Sequence, residues 1–423
     1  MTAKRKTAGK QQPIRLGVVG VRRGMSYAHL APQVGMELVA ICDTWEEQLH
    51  KAGAELGVAT YTRFEDLLAH DLDAVMLANY FHEHAPFAIQ AFQAGKHVLS
   101  ECTAAKTLGE AVALARAWEQ SGCVYLFGEN YPFSAYNQEM RRLYQAGEIG
   151  EVRYCEGEYI HPGADEWVNS ISPGMNHWRN WIPSTYYCTH GLGPLMYVTD
   201  TMPVSVSAQS IPWTPRDRQE RLFVRHQDAA ALIACRLDNG ALAQVNGIHL
   251  QGEGNWYRFH GTHGLMENCR DYGRHGYVRV VHEPWDRREG QVHEKIYEAE
   301  FPIAKDLAVR AGHGGGDFFI AWHFAEAIRT GEQPWMNLYR GLAMSMVGPQ
   351  AWRSALDGGA SYPIPDFSDE AARAPYANDQ WSPYPEDAGP GQPPPSLEGF
   401  YQPTRKQIAA ARKVWKDMGL DVE

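Results

Sequence analysis

The chain has few of the features that mark a disulfide scaffold, a zinc protein or a membrane protein. Its seven cysteines are scattered, and no two of them form a CxxC pair. Neither a disulfide framework nor a metal site is therefore indicated, and the thiols are expected to be reduced, as in the cytoplasm. No apolar window approaches the length that a membrane span requires, so no membrane partner is expected.

Positive charge is also scarce. Lys and Arg number 39 against 50 Asp and Glu, and the formal net charge of −11 argues against a nucleic-acid partner. The only basic run, Lys4-Arg5-Lys6, lies in a polar N-terminal stretch that no apolar segment follows, which is unlike a secretion signal. We therefore predict a disordered tail over residues 1–13 and a cytoplasmic protein.

Short apolar runs alternate with helical segments between residues 14 and 128. The predicted strands are IRLGVV, MELVAIC, LDAVMLA, KHVLS and CVYLFG, and helices are expected at 45–56, 84–94 and 107–120. Strands that alternate with helices indicate a parallel, doubly wound sheet. The sequence therefore predicts an α/β protein in which residues 14–132 form a Rossmann-type domain.

After Gly150 the pattern changes to longer strands with turns between them. The segments EVRYCEGEYIHP, 228–251 and WYRFHGTHGLMEN favour a mostly antiparallel sheet, and Asp238-Asn239-Gly240 predicts a hairpin. Residues 133–367 are expected to form an α+β domain with a large open-faced sheet and helices at 318–329 and 338–356. Residues 368–423 are expected to form a Pro-rich wrap and a terminal helix. Because an open sheet face needs a cover, we expect a homodimer or homotetramer.

The end of the first predicted strand indicates a nucleotide site. The run Gly17-Val-Val-Gly20-Val-Arg22-Arg23-Gly24-Met-Ser26 places a glycine turn before a helix, where backbone N–H groups suit a pyrophosphate. Arg22 occupies the position of the second glycine of GxGxxG, and the two arginines are either phosphate contacts or solvated. Asp43, at the end of the second strand, suits the ribose hydroxyls and repels a 2′-phosphate, which favours NAD over NADP. Its alternative role is a helix N-cap.

Three segments follow in a characteristic order: Asn79-Tyr-Phe-His-Glu-His84, Ala94-Gly-Lys-His-Val98 and Glu101. With the nucleotide turn, they resemble the glucose–fructose oxidoreductase and inositol dehydrogenase (Gfo/Idh/MocA) family, and the resemblance covers nearly the whole chain. In most members the fourth strand ends in Glu-Lys-Pro, whose lysine is implied to hold the substrate hydroxyl and to help move the proton. This chain has Glu101-Cys102-Thr103 there, and a thiol is a weak donor. The missing lysine argues against a plain sugar dehydrogenase; Lys106 either reaches inward in its place or is solvated.

Further motifs are Glu129-Asn130, Tyr159-Ile160-His161 and the run Tyr187-Cys-Thr-His190-Gly-Leu-Gly-Pro194. They resemble the branch of NAD-dependent α-N-acetylgalactosaminidases, which lacks the lysine, and a similar group cleaves sulfoquinovosides. The tyrosine that this branch carries four residues after the glutamate is Phe133 here, and Tyr131 and Tyr136 are expected to point elsewhere. The sugar, its anomer and the leaving group therefore stay open.

The resemblance implies that a small-molecule glycoside is cleaved without net redox. Tightly held NAD⁺ takes a hydride from C3, a base removes the C2 proton, the C1 substituent leaves, water adds and the hydride returns. His190 and Tyr187 lie three residues apart and are the predicted acid–base pair, with the assignment of each proton open. Helix capping by His190 and core packing of Tyr187 are the structural alternatives. The competing functions are a net NAD(P)-dependent sugar or polyol dehydrogenase and a non-catalytic nucleotide-binding homologue.

The other candidate residues are assigned to two sides of the expected cleft. The predicted cofactor side comprises Asn79, His84, Glu101, Cys102, Glu129 and Asn130. The predicted substrate side comprises His161, Trp178, Arg179, His313 and Asp317. The alternative roles are a structural salt bridge for Glu101 and a position without a ligand at the start of a helix for His84. The aromatic loop formed by Trp167, His177, Trp178, Arg179 and Trp181 is alternatively a hydrophobic lid or a subunit contact. Arg179 suits an anionic group on the sugar.

Overall fold

The computed structural model describes residues 12–252, 254–271, 273–420 and 422. The predicted tail, apart from residues 12 and 13, lies outside them. Within the described ranges no helix combines the length and the apolar character that a membrane crossing needs. All seven cysteines are free.

The first sheet is built from residues that are almost wholly buried. Its strands are β1 (Ile14–Val19), β2 (Met36–Cys42), β3 (Ala59–Tyr61), β4 (Ala74–Leu77), β5 (His97–Ser100) and β6 (Tyr125–Phe127). They pair in the order β3-β2-β1-β4-β5-β6, and all the pairs are parallel. The helices are α1 (Gly24–Leu30), α2 (Glu46–Leu56), α3 (Phe64–Leu68), α4 (His84–Gln93) and α5 (Leu108–Ser121). The order reverses between β1 and β4, and such a switch point opens a crevice at the strand ends.

The second sheet has nine strands. They are β7 (Val152–Ile160), β8 (Pro203–Ile211), β9 (Ala230–Leu237), β10 (Leu242–Ile248), β11 (Gly254–Gly261), β12 (Leu265–Asn268), β13 (Tyr277–Val281), β14 (Glu294–Glu298) and β15 (Tyr362–Pro363). Their order is β14-β13-β12-β11-β7-β10-β9-β8-β15, and β7 with β10 is the parallel pair. The predicted hairpin joins β9 to β10. Mixed α/β architecture with a second, mostly antiparallel sheet is thus confirmed.

Three helices pack on one face of the second sheet: α6 (Ala135–Gln145), α9 (Thr189–Thr199) and α13 (Leu338–Leu356). The other helices are α7 (Asp165–Ser170), α8 (Trp178–Trp181), α10 (Pro215–Glu220), α11 (Lys305–Ala308), α12 (Gly316–Thr330), α14 (Glu370–Arg373) and α15 (Arg405–Asp417). Of these, α12 packs on α1 and β6 of the first domain, and α15 packs on α7. Short 3₁₀ turns occupy 131–133, 184–188 and 313–315, among others. The opposite face exposes apolar side chains such as Ile211 and Leu232. The expected oligomer stays a prediction.

The helix α9 approaches β7 very closely. A Cβ on Gly157 of β7 would lie 2.2 Å from the Gly191 carbonyl oxygen of α9, so only glycine fits there. The contact presses the first turn of α9 against the sheet. Since His190 lies in that turn, the contact fixes its position relative to the strand ends.

The C-terminal segment folds back over the chain between β7 and β9. The Trp415 indole donates to the carbonyl of Asn169, and the Gln407 amide donates to the carbonyls of Arg218 and Arg221. His226 bonds to the Tyr401 carbonyl. Beyond α15, residues Gly419, Leu420 and Val422 reach the large cavity described next.

Candidate active site

A cavity of about 910 Å³ lies at the switch point of the first sheet. Strand ends of the first sheet line one side, and β7, the 3₁₀ turn 184–188 and α9 line the other. Most of the predicted site residues line it: Gly20, Arg22, Arg23, Asp43, Asn79, His84, Glu101, Cys102, Asn130, His161, Trp178, Arg179, Tyr187, His190 and His313.

Four predicted site residues do not line the cavity. Gly24 is buried where α1 packs on β1, with the Val18 side chain 2.6 Å from a Cβ added there. Ser26 is exposed on α1. Glu129 and Asp317 are buried to 0% and 1% exposure beneath cavity-lining side chains. Glu129 bonds to His190 and Asp317 bonds to Arg23, both of which line the cavity, and the predicted contacts of the two carboxylates with cofactor and substrate stay predictions.

The nucleotide turn packs tightly against the end of β4. Gly20 has a φ of 99°, and an added Cβ would lie 2.6 Å from the Ala78 carbonyl oxygen. The Asp43 carboxylate accepts from the N–H groups of Val21 and Trp45, at 2.8 Å each, which ties it to this turn. Trp45 is the N-cap residue of α2 and no side-chain hydrogen bond caps that helix, so Asp43 bonds to the loop before α2 and is not its predicted N-cap. A dinucleotide with free ribose hydroxyls fits this arrangement.

Two buried polar atoms beside the turn have no partner within the described chain. They are Asn79 Oδ1 and His84 Nε2, both on residues that line the cavity. The other ring nitrogen of His84 bonds to the Thr103 carbonyl at 2.8 Å, which fixes the ring. Because buried polar atoms are normally satisfied, these two indicate contacts that a bound group supplies.

Arg23 joins the nucleotide turn to the helix α12. Its guanidinium donates to Glu101 Oε1 at 2.7 Å and to both oxygens of Asp317. Burial opposes ionisation of Asp317, but hydrogen bonds from Arg23 and His313 outweigh it and hold the pKa of Asp317 well below its usual value. Glu101 also accepts from the Tyr27 hydroxyl at 3.0 Å. The predicted alternative for Glu101, a structural salt bridge, is therefore present.

His190 and Glu129 form a buried pair at the centre of the cavity wall. His190 Nδ1 lies 2.9 and 3.0 Å from the two oxygens of Glu129. Burial opposes ionisation of Glu129, but attraction and hydrogen bonding from His190, Thr189 and Cys102 outweigh it and lower its pKa. An ionised Glu129 accepts the Nδ1 proton, so Nε2 of His190 is the nitrogen available to the cavity.

Two tyrosines crowd the imidazole of His190. The ring centroid of Tyr159 lies 4.5 Å away and that of Tyr131 lies 5.0 Å away. The prediction that Tyr131 points elsewhere was wrong, because residues 131–133 form a 3₁₀ turn and not an α-helix. Phe133 packs against Tyr197 and His323, away from the cavity. Tyr159, although part of a recognised motif, was not among the predicted site residues.

No lysine is found among the described residues that line the cavity. Lys106 donates to Asp387 at 2.7 Å with only 12% of its side chain exposed, so it neither reaches inward nor is solvated. Cys102, at the position of the missing lysine, donates its thiol to Glu129 at 3.4 Å. Burial, with the charges of Glu129 and Glu101, raises the pKa of this thiol well above its usual value.

Sequence reasoning missed Arg225, which lines the cavity at 1% exposure. It lies in an irregular segment before β9, where no periodic pattern distinguishes a buried arginine from a solvated one. The clustering of Arg221, Arg225, His226 and Asp228 within eight residues was the available hint.

Three segments of the chain match known domain families. Residues 14–129 match the oxidoreductase family with an NAD-binding Rossmann fold, GFO/IDH/MocA. Residues 137–267 match the GFO/IDH/MocA C-terminal domain, and residues 249–373 match the C-terminal domain of glycosyl hydrolase 109.

Relatives of similar length carry the glycosidase name. Glycosyl hydrolase family 109 protein 2 of Shewanella sp. (strain MR-4) is 27% identical over 404 residues, which cover 85% of this chain and 86% of the relative. A glycosyl hydrolase family 109 protein of Shewanella baltica (strain OS155 / ATCC BAA-1091) is 25% identical with the same coverage.

Solved structures share the fold. Levoglucosan dehydrogenase in complex with NADH and levoglucosan has a TM-score of 0.70 at 19% identity, covering 84% of this chain and 100% of that chain. An oxidoreductase from Agrobacterium radiobacter in complex with NAD⁺, L-tartaric acid and magnesium has a TM-score of 0.69 at 19% identity, covering 83% and 98%. The predicted fold class and the predicted NAD cofactor are confirmed.

Proposed function

We propose, because the chain belongs to the GFO/IDH/MocA oxidoreductase family and carries a glycosyl hydrolase 109 C-terminal domain, that it is an NAD-dependent glycosidase. The observation that carries this proposal is the His190–Glu129 pair in a cavity wall that shows no lysine among its described residues. A proton-transfer group is present, and the half-buried thiol of Cys102 stands where the resemblance implies a lysine.

The first sheet supplies the cofactor side of the proposed site. Bound NAD⁺ supplies an acceptor for a hydride from a sugar carbon and can return it. Gly20 lets the turn pack against the end of β4, Arg22 would offer a guanidinium to the pyrophosphate, and Asp43 would receive the ribose hydroxyls. The proposed role of these residues is to bind and orient NAD⁺, and none of them transfers a proton.

His190 is the proposed base. Its Nδ1 is held by ionised Glu129, so the ring is fixed in one tautomer with Nε2 towards the cavity. The buried carboxylate also stabilises the imidazolium that forms when Nε2 takes a proton from the sugar. This is the arrangement that removal of a hydroxyl proton or of an acidified C2 proton requires.

The tyrosines supply the proposed acid. Burial raises the pKa of Tyr159 well above its usual value, so its phenol keeps its proton at neutral pH. The ring centroid of Tyr159 lies 4.5 Å from that of His190, and a phenol that keeps its proton suits donation to a sugar oxygen or to the departing group. Tyr187 lines the same cavity and is the second candidate for this role.

A panel of nitrophenyl glycosides, including N-acetylhexosaminides and a sulfoquinovoside, tests the proposal. We expect NAD⁺-dependent release of nitrophenol from at least one member without net reduction of NAD⁺. In deuterated water the product sugar should carry deuterium at C2, which separates elimination from direct displacement. Release of nitrophenol at the same rate by protein from which all bound NAD⁺ has been removed would contradict the proposal.

The second candidate function is a net sugar or polyol dehydrogenase. The shared fold with levoglucosan dehydrogenase favours it. Steady reduction of NAD⁺ by free sugars, with no cleavage of any glycoside in the panel, would establish it in place of the first.

A further inference from the structure

Three arginines converge on the cavity without a carboxylate partner. Arg22, Arg179 and Arg225 all line it, and in the described part of the chain none of them has an Asp or Glu oxygen within 4.0 Å. Their observed hydrogen bonds are to carbonyls: Arg22 to Ser170 and Arg179 to Ile171. Arg23, by contrast, is fully paired with Glu101 and Asp317.

Arg225 is the most constrained of the three. Its side chain is 1% exposed, one guanidinium nitrogen donates to the Arg179 carbonyl, and its Nε is buried without a partner in the described residues. Burial lowers the pKa of Arg225 to about 10, and the neighbouring Tyr187 phenol opposes that shift. A buried, unpaired charge is costly, so such a group is normally matched by an opposite charge.

The two guanidiniums of Arg179 and Arg225 lie on the side of the cavity that holds the proposed acid–base groups. Arg225 neighbours Tyr187, and Arg179 is close enough to Tyr159 to oppose the burial that raises its pKa. The Cζ atom of Arg179 also lies over the ring of Trp178, 4.1 Å from the ring centroid. Arg22 belongs to the nucleotide turn, and Arg179 is near enough to it to help lower the pKa of Arg22, although burial is the larger cause.

We propose that the cavity takes a glycoside with a negatively charged substituent, and that Arg179 and Arg225 bind this group. The inference rests on the proposed function and narrows its substrate class. The planar guanidinium fork matches the oxygens of a carboxylate, sulfate, sulfonate or phosphate. A neutral sugar would leave the Arg225 charge buried and unpaired.

Matched pairs of substrates test the charge. Both comparisons measure kcat/KM and use the glycoside that the panel identifies as a substrate. In the first set, the neutral nitrophenyl glycoside is compared with its uronide and with its 6-sulfate. In the second set, the phenyl glycoside is compared with the 4-carboxyphenyl glycoside. The first set places the charge on the sugar and the second on the leaving group. We expect kcat/KM to be about tenfold to a hundredfold higher for the charged member of one set.

The variant Arg179→Gln removes one charge and keeps the side-chain length. We expect the ratio of kcat/KM for charged over neutral glycosides to fall about tenfold, and Arg179→Lys to restore part of it. The control Arg216→Gln, on the exposed Arg216–Glu220 pair of α10, should leave the ratio unchanged. An equal fall for both substrates, or no charge preference in the unaltered enzyme, would overturn the inference.

A binding measurement tests the preference for a charged sugar independently of the proposed glycosidase activity. Calorimetry on the NAD-loaded protein compares a methyl uronide with the neutral methyl glycoside, so that no cleavage is needed. Tighter uronide binding that Arg179→Gln abolishes supports the charge inference even if no glycoside is hydrolysed. If Arg179→Gln instead weakens NAD⁺ binding and leaves the uronide preference intact, both arginines serve the pyrophosphate and the inference fails.

Discussion

At the scale of single residues, the proposed chemistry depends on Glu129, a buried carboxylate that is not among the described residues lining the cavity. Glu129 is 0% exposed, yet it decides which nitrogen of His190 carries a proton and how stable the protonated ring is. A buried orienting carboxylate of this kind acts through its neighbour, so its loss should appear in turnover more than in binding.

We therefore expect Glu129→Gln to lower kcat about a hundredfold and to change KM little, because the ring keeps its place but loses the charge that stabilises its protonated form. The pH profile of kcat should also move. A matched control is Glu148→Gln, since Glu148 bonds to His282 at 3.0 Å outside the cavity. A parallel loss in both variants would point to a structural effect and count against this role of Glu129.

Cys102 occupies the position at which the resemblance expects a lysine. We expect Cys102→Lys to bring an ammonium to the cavity wall beside Glu129 and to confer net oxidation of free sugars, measured as reduction of NAD⁺. Cys102→Met, of similar length without charge, should not confer it. If Cys102→Lys hydrolyses glycosides as before and oxidises no free sugar, the residue at position 102 does not decide between hydrolysis and net oxidation.

At the scale of elements, the nucleotide turn depends on the close approach of β1 to β4. Gly20→Ala should reduce both NAD⁺ affinity and thermal stability, because the new methyl meets the Ala78 carbonyl at 2.6 Å. Gly57→Ala is the matched control, since Gly57 has a φ of 68° and open space around it. In both variants an alanine must adopt a positive φ, which lowers the free energy of unfolding by about 1 kcal/mol. Any further loss in Gly20→Ala measures the clash of the new methyl group with the Ala78 carbonyl. Equal losses with normal NAD⁺ affinity would contradict the assignment.

The elements also show what the sequence could predict. The bounds of β1, β2 and α13 agree with the predicted segments because long apolar runs and strong periodicity mark them. The three-residue β3 was missed, since ATY is too short to show a pattern. Tyr131 was misplaced because Pro132 permits a 3₁₀ turn where a helix was assumed.

Contacts between distant parts of the chain could not be predicted at all. Lys106 meets Asp387 across 281 residues, and Arg23 meets Asp317 across 294. Each pairing depends on how the segments pack, and no local pattern carries that information. The same reason explains why Arg225 was missed.

At the scale of the whole molecule, buried neutral histidines make stability depend on pH. Burial lowers the pKa of His226 to about 4, of His249 to about 3 and of His323 to about 4. The unfolded chain takes up these protons near pH 6.5, whereas the folded chain does so only near the lowered values. The free energy of unfolding should therefore decrease as pH falls through this window, by about 1.4 kcal/mol per pH unit for each histidine.

Denaturant midpoints recorded between about pH 7 and about pH 4 check this. His323→Phe, which keeps a ring beside Phe133, should flatten the dependence, while the exposed His29→Gln should not. Stability that stays constant over this range in the unaltered protein would show that these histidines are protonated in the folded state.

The segment 401–422 has a consequence for the shape of the cavity. It holds the stretch that carries Arg225, through the contacts of Tyr401 with His226 and of Gln407 with Arg218, and Leu420 and Val422 line the cavity. The wall around Arg225 is thus fastened by residues that lie 175 and 189 positions away in the chain. Loosening these two contacts would free one wall of the cavity and leave the first sheet intact.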